Sequence, residues 1–555
     1  MAAPLPETAS MRTRDGVRLD ADVYRPESTG SFPVLLMRQP YGRQIASTIC
    51  YAHPTWYAAQ GYTVVIQDVR GRGTSEGAFR LFADDVADGE DTIAWASSLP
   101  GSSGAVGMYG FSYQGTNQLL AASSGAAALK ALAPAMIGWD IGADWAYEND
   151  AFCLAAGLGW ATQIGAETAR LAGDREAFDV LFRFSRGMSF HSPVAARPDF
   201  LARFGHHTHY EAWLNNRPGS SYWQDISPAF RARSVSLPML FIGGWYDSHL
   251  PGTIAAFKHF AAKAPKRTRL TIGPWTHFPW TRRVGGHDFG PNATSDIDQL
   301  QVRWFDHWLK GEDTGLLSEP AVRLFDMGEN AWRRSASWPA NQATHFFLHG
   351  SGRASIDDSD GKLGFEPPSR EGTDFVVHDP WRPVAAVGGA YGTPSGPADR
   401  SVVDGRPDVL TFTTEPAVEP ITIAGDVAAE LWLCADAPSF DVSCVLSRVA
   451  PQGEALPLAQ GYRLVKPGTN LNQPVEIPLR ATCATIKPGE RLRLSVAGAC
   501  FPAYPVNPGT GQNPTAASAA QARIVTLGVR HGGNCGSRLR VGICHAAKVT
   551  SERLR

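Results

Sequence analysis

Over the first 140 residues, short apolar runs alternate with helix-like stretches, which confines the chain to a parallel sheet covered by helices. Val34-Leu35-Leu36-Met37 ends at Pro40. Tyr62-Thr63-Val64-Val65-Ile66 is β-branched, like a strand buried on both faces, and Val106-Gly107-Met108-Tyr109 is a third run. Residues 84–97 and 114–122 carry helix character. From 141 to 235 the alternation lapses. Ala- and Leu-rich helical stretches at 155–171 and 175–184 sit between loops bearing Trp and His, with no convincing strand. Strands at 237–242 and 270–272, a helix at 253–262 and a closing helix at 299–309 resume the first pattern. After 339 the runs are short and alternating, at 345–348, 409–413, 428–433, 442–449 and 491–496, with Gly- and Pro-rich turns between them. The expected architecture is α/β: a core in two parts, 1–140 and 236–338, a helical cap at 141–235, and a β-sandwich of jelly-roll type at 339–555.

Composition bounds the function. A formal net charge of −2 with 19 % charged residues excludes a broadly basic nucleic-acid surface and a polyacidic tail, and 43 % hydrophobic residues exclude a disordered chain. No stretch reaches about 18 uncharged apolar residues, so no membrane span is expected. The cysteines (Cys50, Cys153, Cys434, Cys444, Cys483, Cys500, Cys535, Cys544) form no C-x-x-C pair. Several lie in apolar runs and are expected as reduced core residues, with an occasional disulfide left open after residue 430. The N-terminal Met-Ala-Ala-Pro-Leu-Pro-Glu has neither a basic nor an apolar leader segment as written, and a cytoplasmic location is expected.

Two serines compete as a nucleophile. Gly73-Thr74-Ser75-Glu76-Gly77 matches Gly-x-Ser-x-Gly, whereas Gly110-Phe111-Ser112-Tyr113-Gln114-Gly115 departs from it by one position. Context favours Ser112, because a nucleophile elbow needs a strand directly before the serine and a helix directly after it. Ser75 follows a flexible Gly-Arg-Gly and precedes no helix signal, so it is expected as a turn residue. The hydroxyl needs a base, and the base a carboxylate, in the chain order Ser, acid, His. The strand at 237–242 runs into Gly243-Gly244-Trp245-Tyr246-Asp247, and that at 270–272 into Gly273-Pro274-Trp275-Thr276-His277. His249 and His287 are rival bases, but neither directly ends a strand. Asp68 to Gly77 lacks the Lys-Ser or Lys-Thr of a nucleotide loop; Arg70 and Arg72 are expected to pair with Asp68, Glu76 or Asp84. His206-His207-Thr208-His209 has no acidic or Cys partner at helix spacing and is expected as a cap loop without metal.

As a set, Arg38-Gln39-Pro40-Tyr41, the stretch from Gln67 to Gly77, Gly110 to Gly115, Gly244 to Asp247 and Gly273 to His277 resemble the cocaine esterase-like (CocE/NonD) hydrolases, relatives of X-prolyl dipeptidyl peptidases and α-amino acid ester hydrolases. Asp379-Pro380 with Gly388-Gly389, Arg406 to Leu410, Phe501-Pro502 and Asn507 to Gly511 resemble that family's C-terminal jelly roll, so the resemblance spans nearly the whole chain. It implies an α/β-hydrolase core with an inserted cap, a triad of Ser112, Asp247 and His277, an oxyanion hole from the Tyr41 hydroxyl and the Tyr113 backbone N–H, and no cofactor. The implied partner is a small-molecule acyl ester or amide, hydrolysed through an acyl-enzyme, with acyl transfer and association between copies of the chain left open. Relatives that bind an amino terminus grip it with carboxylates. The segment Ser248 to Thr253 has none, which weakens the alternative of an α-amino acyl peptidase. Trp139, Trp145, Phe152 and Trp160, with Phe278, form the candidate acyl pocket. A non-catalytic jelly-roll binding protein is the reading from another class, opposed by an intact triad.

Overall fold

A strand with both faces buried needs covering layers and parallel neighbours, and the computed structural model has the sheet that the alternation requires. It describes residues 6–194, 196–339 and 343–544; the first five residues of the stretch read for a leader lie outside them. Among the described residues ten strands form one sheet: β1 (Glu7–Arg12), β2 (Arg18–Tyr24), β3 (Phe32–Gln39), β4 (Thr63–Asp68), β5 (Ser102–Phe111), β6 (Leu129–Ala135), β7 (Met239–Tyr246), β8 (Thr268–Thr276), β9 (Val322–Asp326) and β10 (Ala331–Ser335). Their order is β1-β2-β4-β3-β5-β6-β7-β8-β9-β10. Every pairing from β4 to β9 is parallel, so β3, β5, β7 and β8 end along one edge, where open sheets bind ligands. The central strands β4 and β7 are buried at every position.

The helices expected at 84–97 and 253–262 form as Asp85–Ser97 and Leu250–Lys263. The closing helix runs Ile297–Phe305 and widens into a π turn at Asp306–Lys310, before Gly311 at φ 75°. In the 141–235 segment, helices Leu154–Leu171 and Arg175–Gly187 turn about Gly173 at φ 76°. Asp174 caps the second helix, accepting the Ala177 N–H at 3.0 Å. Ala166, Ala169, Ala177, Leu181 and Phe204 close between these elements. The segment is not strand-free as expected. Tyr147–Glu148 and Ala151–Phe152 pair as a hairpin about Asn149 and Asp150, both at positive φ. Strands of two residues are too short to leave an alternation in the sequence.

The remaining chain is β-rich. All five alternating runs after 339 lie in strands. The longest strand, Ile421–Ala435, pairs with Val475–Ile486, with Arg538–Cys544 and, at its far end, with Val525–His531. This domain is locked to the first sheet through buried polar groups. Asp326, at the end of β9, accepts the Thr485 N–H at 2.8 Å and the Thr485 hydroxyl at 2.6 Å, and the Tyr246 hydroxyl donates to the Pro457 carbonyl at 3.0 Å. Among the described residues no disulfide forms, and no helix is long and apolar enough to cross a membrane.

Candidate active site

Ser112 occupies the turn between β5 and the helix Tyr113–Ala122. It takes φ 61° and ψ −124°, a conformation that costs a non-glycine residue on the order of 1–3 kcal/mol. Its neighbours hold it there. The Ser112 N–H donates to the Ala135 carbonyl at 2.9 Å, and its carbonyl accepts the Thr116 N–H at 2.9 Å. The flanking glycines are steric requirements. A Cβ on Gly110 would lie 2.5 Å from Gln114 Cβ, and one on Gly115 would lie 2.6 Å from the Ala135 carbonyl oxygen. Where the motif departs from Gly-x-Ser-x-Gly, Gly110 makes room for the Gln114 side chain, and Gly115 stands where the helix crosses β6.

The ends of β7 and β8 bring the acid and base together. The pairing shifts register between Gly273 and Thr276, which presses the Trp275 carbonyl to 2.3 Å from where a Gly244 Cβ would stand. Just beyond, His277 Nδ1 lies 2.7 Å from Asp247 Oδ1. A carboxylate can only accept, so Nδ1 carries the proton and Nε2 is left as the basic nitrogen. Asp247 is fully buried. Burial opposes its charge, but hydrogen bonds from the His277 side chain and the His249 backbone outweigh this and hold the carboxyl below its ordinary range. The ring of Phe111 packs 5.3 Å from the imidazole. No Ser112–His277 hydrogen bond forms among the described residues; such a leg is commonly long before substrate binds.

Tyr41 follows β3 by two residues, and the Ser112 side chain is among the groups that act on its hydroxyl. Trp160 Nε1–H donates to that hydroxyl at 3.0 Å. Indole only donates, so the phenolic proton is free to point at the serine side. Burial pushes the phenol up to about 12, against the pull of Trp160, Ser112 and Arg72, so it is a protonated donor near neutrality. The Tyr113 side chain is anchored elsewhere, donating to Asp85 Oδ2 at 2.5 Å and stacking on Phe82. Its backbone N–H opens the helix, where the first-turn donors lack intrahelical partners.

Of the candidate pocket residues, the structure gathers three around the site. The Trp145 and Trp160 rings lie 4.9 Å apart, and Phe278, 52 % exposed, flanks His277. Trp139 and Phe152 do not join them: Trp139 packs on His259 and Phe260, and Phe152 on Tyr147 and Tyr210 within the cap. His249 instead completes the wall, 4.1 Å from the Trp145 ring and 4.9 Å from His277. Burial pushes it down to about 3, so it is neutral and no rival base. Its one sequence signal is its position two residues after Asp247. His287 sits in a hairpin against Phe289.

Two other expectations, on Arg70 and Arg72, need correction. Arg70 pairs with Asp15 and Asp88, not with Asp68, Glu76 or Asp84. Arg72 pairs with no carboxylate; it reaches the cap, donating to the Ile164 carbonyl and Thr168 Oγ1, and stacks 3.8 Å over the Phe79 ring. Asp68 is held by Arg43 at 2.7 Å. The histidine-rich loop does acquire a carboxylate, from a distant helix cap: Asp174 Oδ2 lies 3.2 Å from His207 Nε2, with His206 alongside. His209 turns inward between Trp160 and Trp213.

Residues 15–279 match the X-Pro dipeptidyl-peptidase (S15 family) profile, and residues 314–538 match the X-Pro dipeptidyl-peptidase C-terminal non-catalytic domain. A cocaine esterase from Rhodococcus sp. (strain MB1 Bresler) is 34 % identical over 527 residues, covering 90 % of this chain and 91 % of its own. An aminopeptidase from a marine sediment archaeon, Thaumarchaeota archaeon, shares the fold with a TM-score of 0.81 at 24 % identity, over 98 % of this chain and 97 % of its own. An α-amino acid ester hydrolase shares it with a TM-score of 0.77 at 23 % identity and the same coverage. With a strand–serine–helix elbow and one relative matched almost end to end, the chain belongs to the cocaine esterase-like family of serine hydrolases.

Proposed function

We propose that the protein hydrolyses small-molecule acyl esters through an acyl-enzyme on Ser112. His277 Nε2 takes the Ser112 proton as Oγ attacks the ester carbonyl; the same proton passes to the departing alkoxide, and water then repeats the sequence to release the acid. Asp247 keeps the proton on Nδ1 and stabilises the imidazolium. The Tyr41 hydroxyl and the Tyr113 N–H receive the oxyanion, and Trp145, Trp160, His249 and Phe278 face an apolar, including aromatic, acyl group. The observation that carries this reading is the 2.7 Å His277–Asp247 bond beside a strained Ser112 at one edge of the sheet. The charges nearby argue against an α-amino acyl substrate. His249 is neutral, and Arg72 is a buried cation without a carboxylate partner among the described residues, which disfavours an ammonium. We place the protein in the cytoplasm, since cysteines without a disulfide suit a reducing compartment. A panel of p-nitrophenyl esters, matching anilides and free-amine aminoacyl esters tests the substrate class. Blocked esters turning over fastest supports it; faster turnover of the free-amine compounds refutes it.

A further inference from the structure

The carboxylate of Asp247 is aimed by the backbone that carries it, and that backbone is held from outside the catalytic domain. Asp247 and Ser248 lie between the end of β7 and the helix Leu250–Lys263. Arg480, on the strand Val475–Ile486 of the C-terminal domain, donates Nη1 to the Asp247 carbonyl and to the Ser248 carbonyl, each at 3.0 Å. Its Nη2 donates to Glu148 Oε2 at 2.7 Å, and Glu148 belongs to the short hairpin of the cap. The ion pair is buried, with side-chain exposures of 4 % and 12 %. The guanidinium stacks 4.9 Å over Tyr391, another residue of the C-terminal domain, whose hydroxyl lies 3.4 Å from the same Ser248 carbonyl. One side chain thus ties the cap, the catalytic sheet and the β domain together at the turn that bears the acid.

We propose that Arg480 is a positioning residue for the Asp247–His277 pair, so that the C-terminal domain takes part in turnover by fixing the catalytic acid. Two main-chain carbonyls at a buried turn need donors, and a planar guanidinium satisfies both while its remaining edge meets Glu148. A compact ammonium cannot span the three acceptors in the same way. Loss of the guanidinium removes the shorter donor from each carbonyl, leaving the Leu250 N–H at 3.3 Å on Asp247 and the Tyr391 hydroxyl at 3.4 Å on Ser248, and takes the partner from Glu148, so the turn relaxes; a shift of about 1 Å at such a site costs about 100-fold in rate. Because Asp247 stabilises the imidazolium, its displacement lowers the proton affinity of His277, and the acid limb of kcat/KM moves to lower pH.

The inference rests on the assignment of Asp247 as the partner of His277, and the test separates the two. Full-length Arg480→Gln, Arg480→Lys, Glu148→Gln and Asp247→Asn are assayed on one p-nitrophenyl ester, with sites counted by a fluorophosphonate probe. Lys258→Met, which removes the exposed Lys258–Asp426 pair between core and β domain, controls for domain docking. The expected result for Arg480→Gln is a loss in kcat per labelled site of about 10- to 100-fold with KM within about threefold, and an acid limb at lower pH. Arg480→Lys recovers part of the loss, Glu148→Gln gives a smaller loss of the same kind, and Lys258→Met leaves kcat unchanged. If Asp247→Asn keeps full activity, the assignment of the acid fails. If Asp247→Asn is inactive while Arg480→Gln and Glu148→Gln keep the wild-type kcat per site and acid limb, the role given to Arg480 is wrong. Should Arg480→Gln not fold, Glu148→Gln decides the matter alone.

Discussion

Ser75 and Ser112 both lie in glycine-flanked loops at the same edge of the sheet, and the better motif belongs to the one we read as a turn residue. Ser75 is saturated: its Oγ donates to the Asp68 carbonyl at 2.8 Å and accepts the Asp20 N–H at 2.9 Å. Its backbone has no positive φ. The loop around it is a lattice of compensated charges, with Arg18 on Asp20 and Arg43 on both Asp22 and Asp68. Ser112 instead sits on a strained turn between strand and helix, with Tyr41 on one side and Phe111 carrying the wall towards His277. The contrast shows that a reactive serine is made by what its hydroxyl is not committed to and by the backbone that lifts it, rather than by the glycines alone.

Substitution should separate the two serines widely. Ser112→Ala is expected to lower kcat by about 10⁴-fold or more, since the base then has no nucleophile to activate; residual turnover within tenfold of wild type would erase the distinction. Tyr41→Phe removes one oxyanion donor and should cost roughly 100- to 1000-fold in kcat with little change in KM. A change confined to KM would make Tyr41 a binding residue only. Ser75→Ala should leave kcat per active site within about twofold and lower stability in urea by about 1–3 kcal/mol, because a buried carbonyl and N–H lose their partner. The smallest effect concerns pH. Burial pushes His209 and His249 down to about 3, so the unfolded chain, with histidines near 6.5, binds protons that the folded chain excludes. Their contribution is present above pH 6.5 and is lost as pH falls towards 3. Stability should therefore drop between pH 7 and 4.5, and less steeply in His209→Phe; an unchanged slope in that variant would show that His209 is not held neutral.

The sequence makes the proposed catalytic edge legible because each of its residues is local to a strand end. Ser112, Asp247 and His277 each follow a strand directly, so an apolar run and the next polar residue suffice. The strands at 7–12 and 18–24 are not, since they carry alternating charges whose partners are Glu76, Arg43 and Thr74, all distant in sequence. The pocket was half legible. Trp145 and Trp160 come from different cap elements and meet only through tertiary packing, while Trp139, equally aromatic, faces the helix Leu250–Lys263 instead. Arg480 leaves no motif at all, because two of its acceptors are main-chain carbonyls, which any residue supplies, and the third, Glu148, is distant in sequence.

The central claim, that Ser112 and not Ser75 is the nucleophile, is tested most directly by labelling the intact chain with a fluorophosphonate and locating the adduct by peptide mass mapping. One adduct per chain, on the peptide bearing Ser112 and absent from Ser112→Ala, is the predicted result. An adduct on the peptide bearing Ser75, or undiminished labelling of Ser112→Ala, would contradict the account.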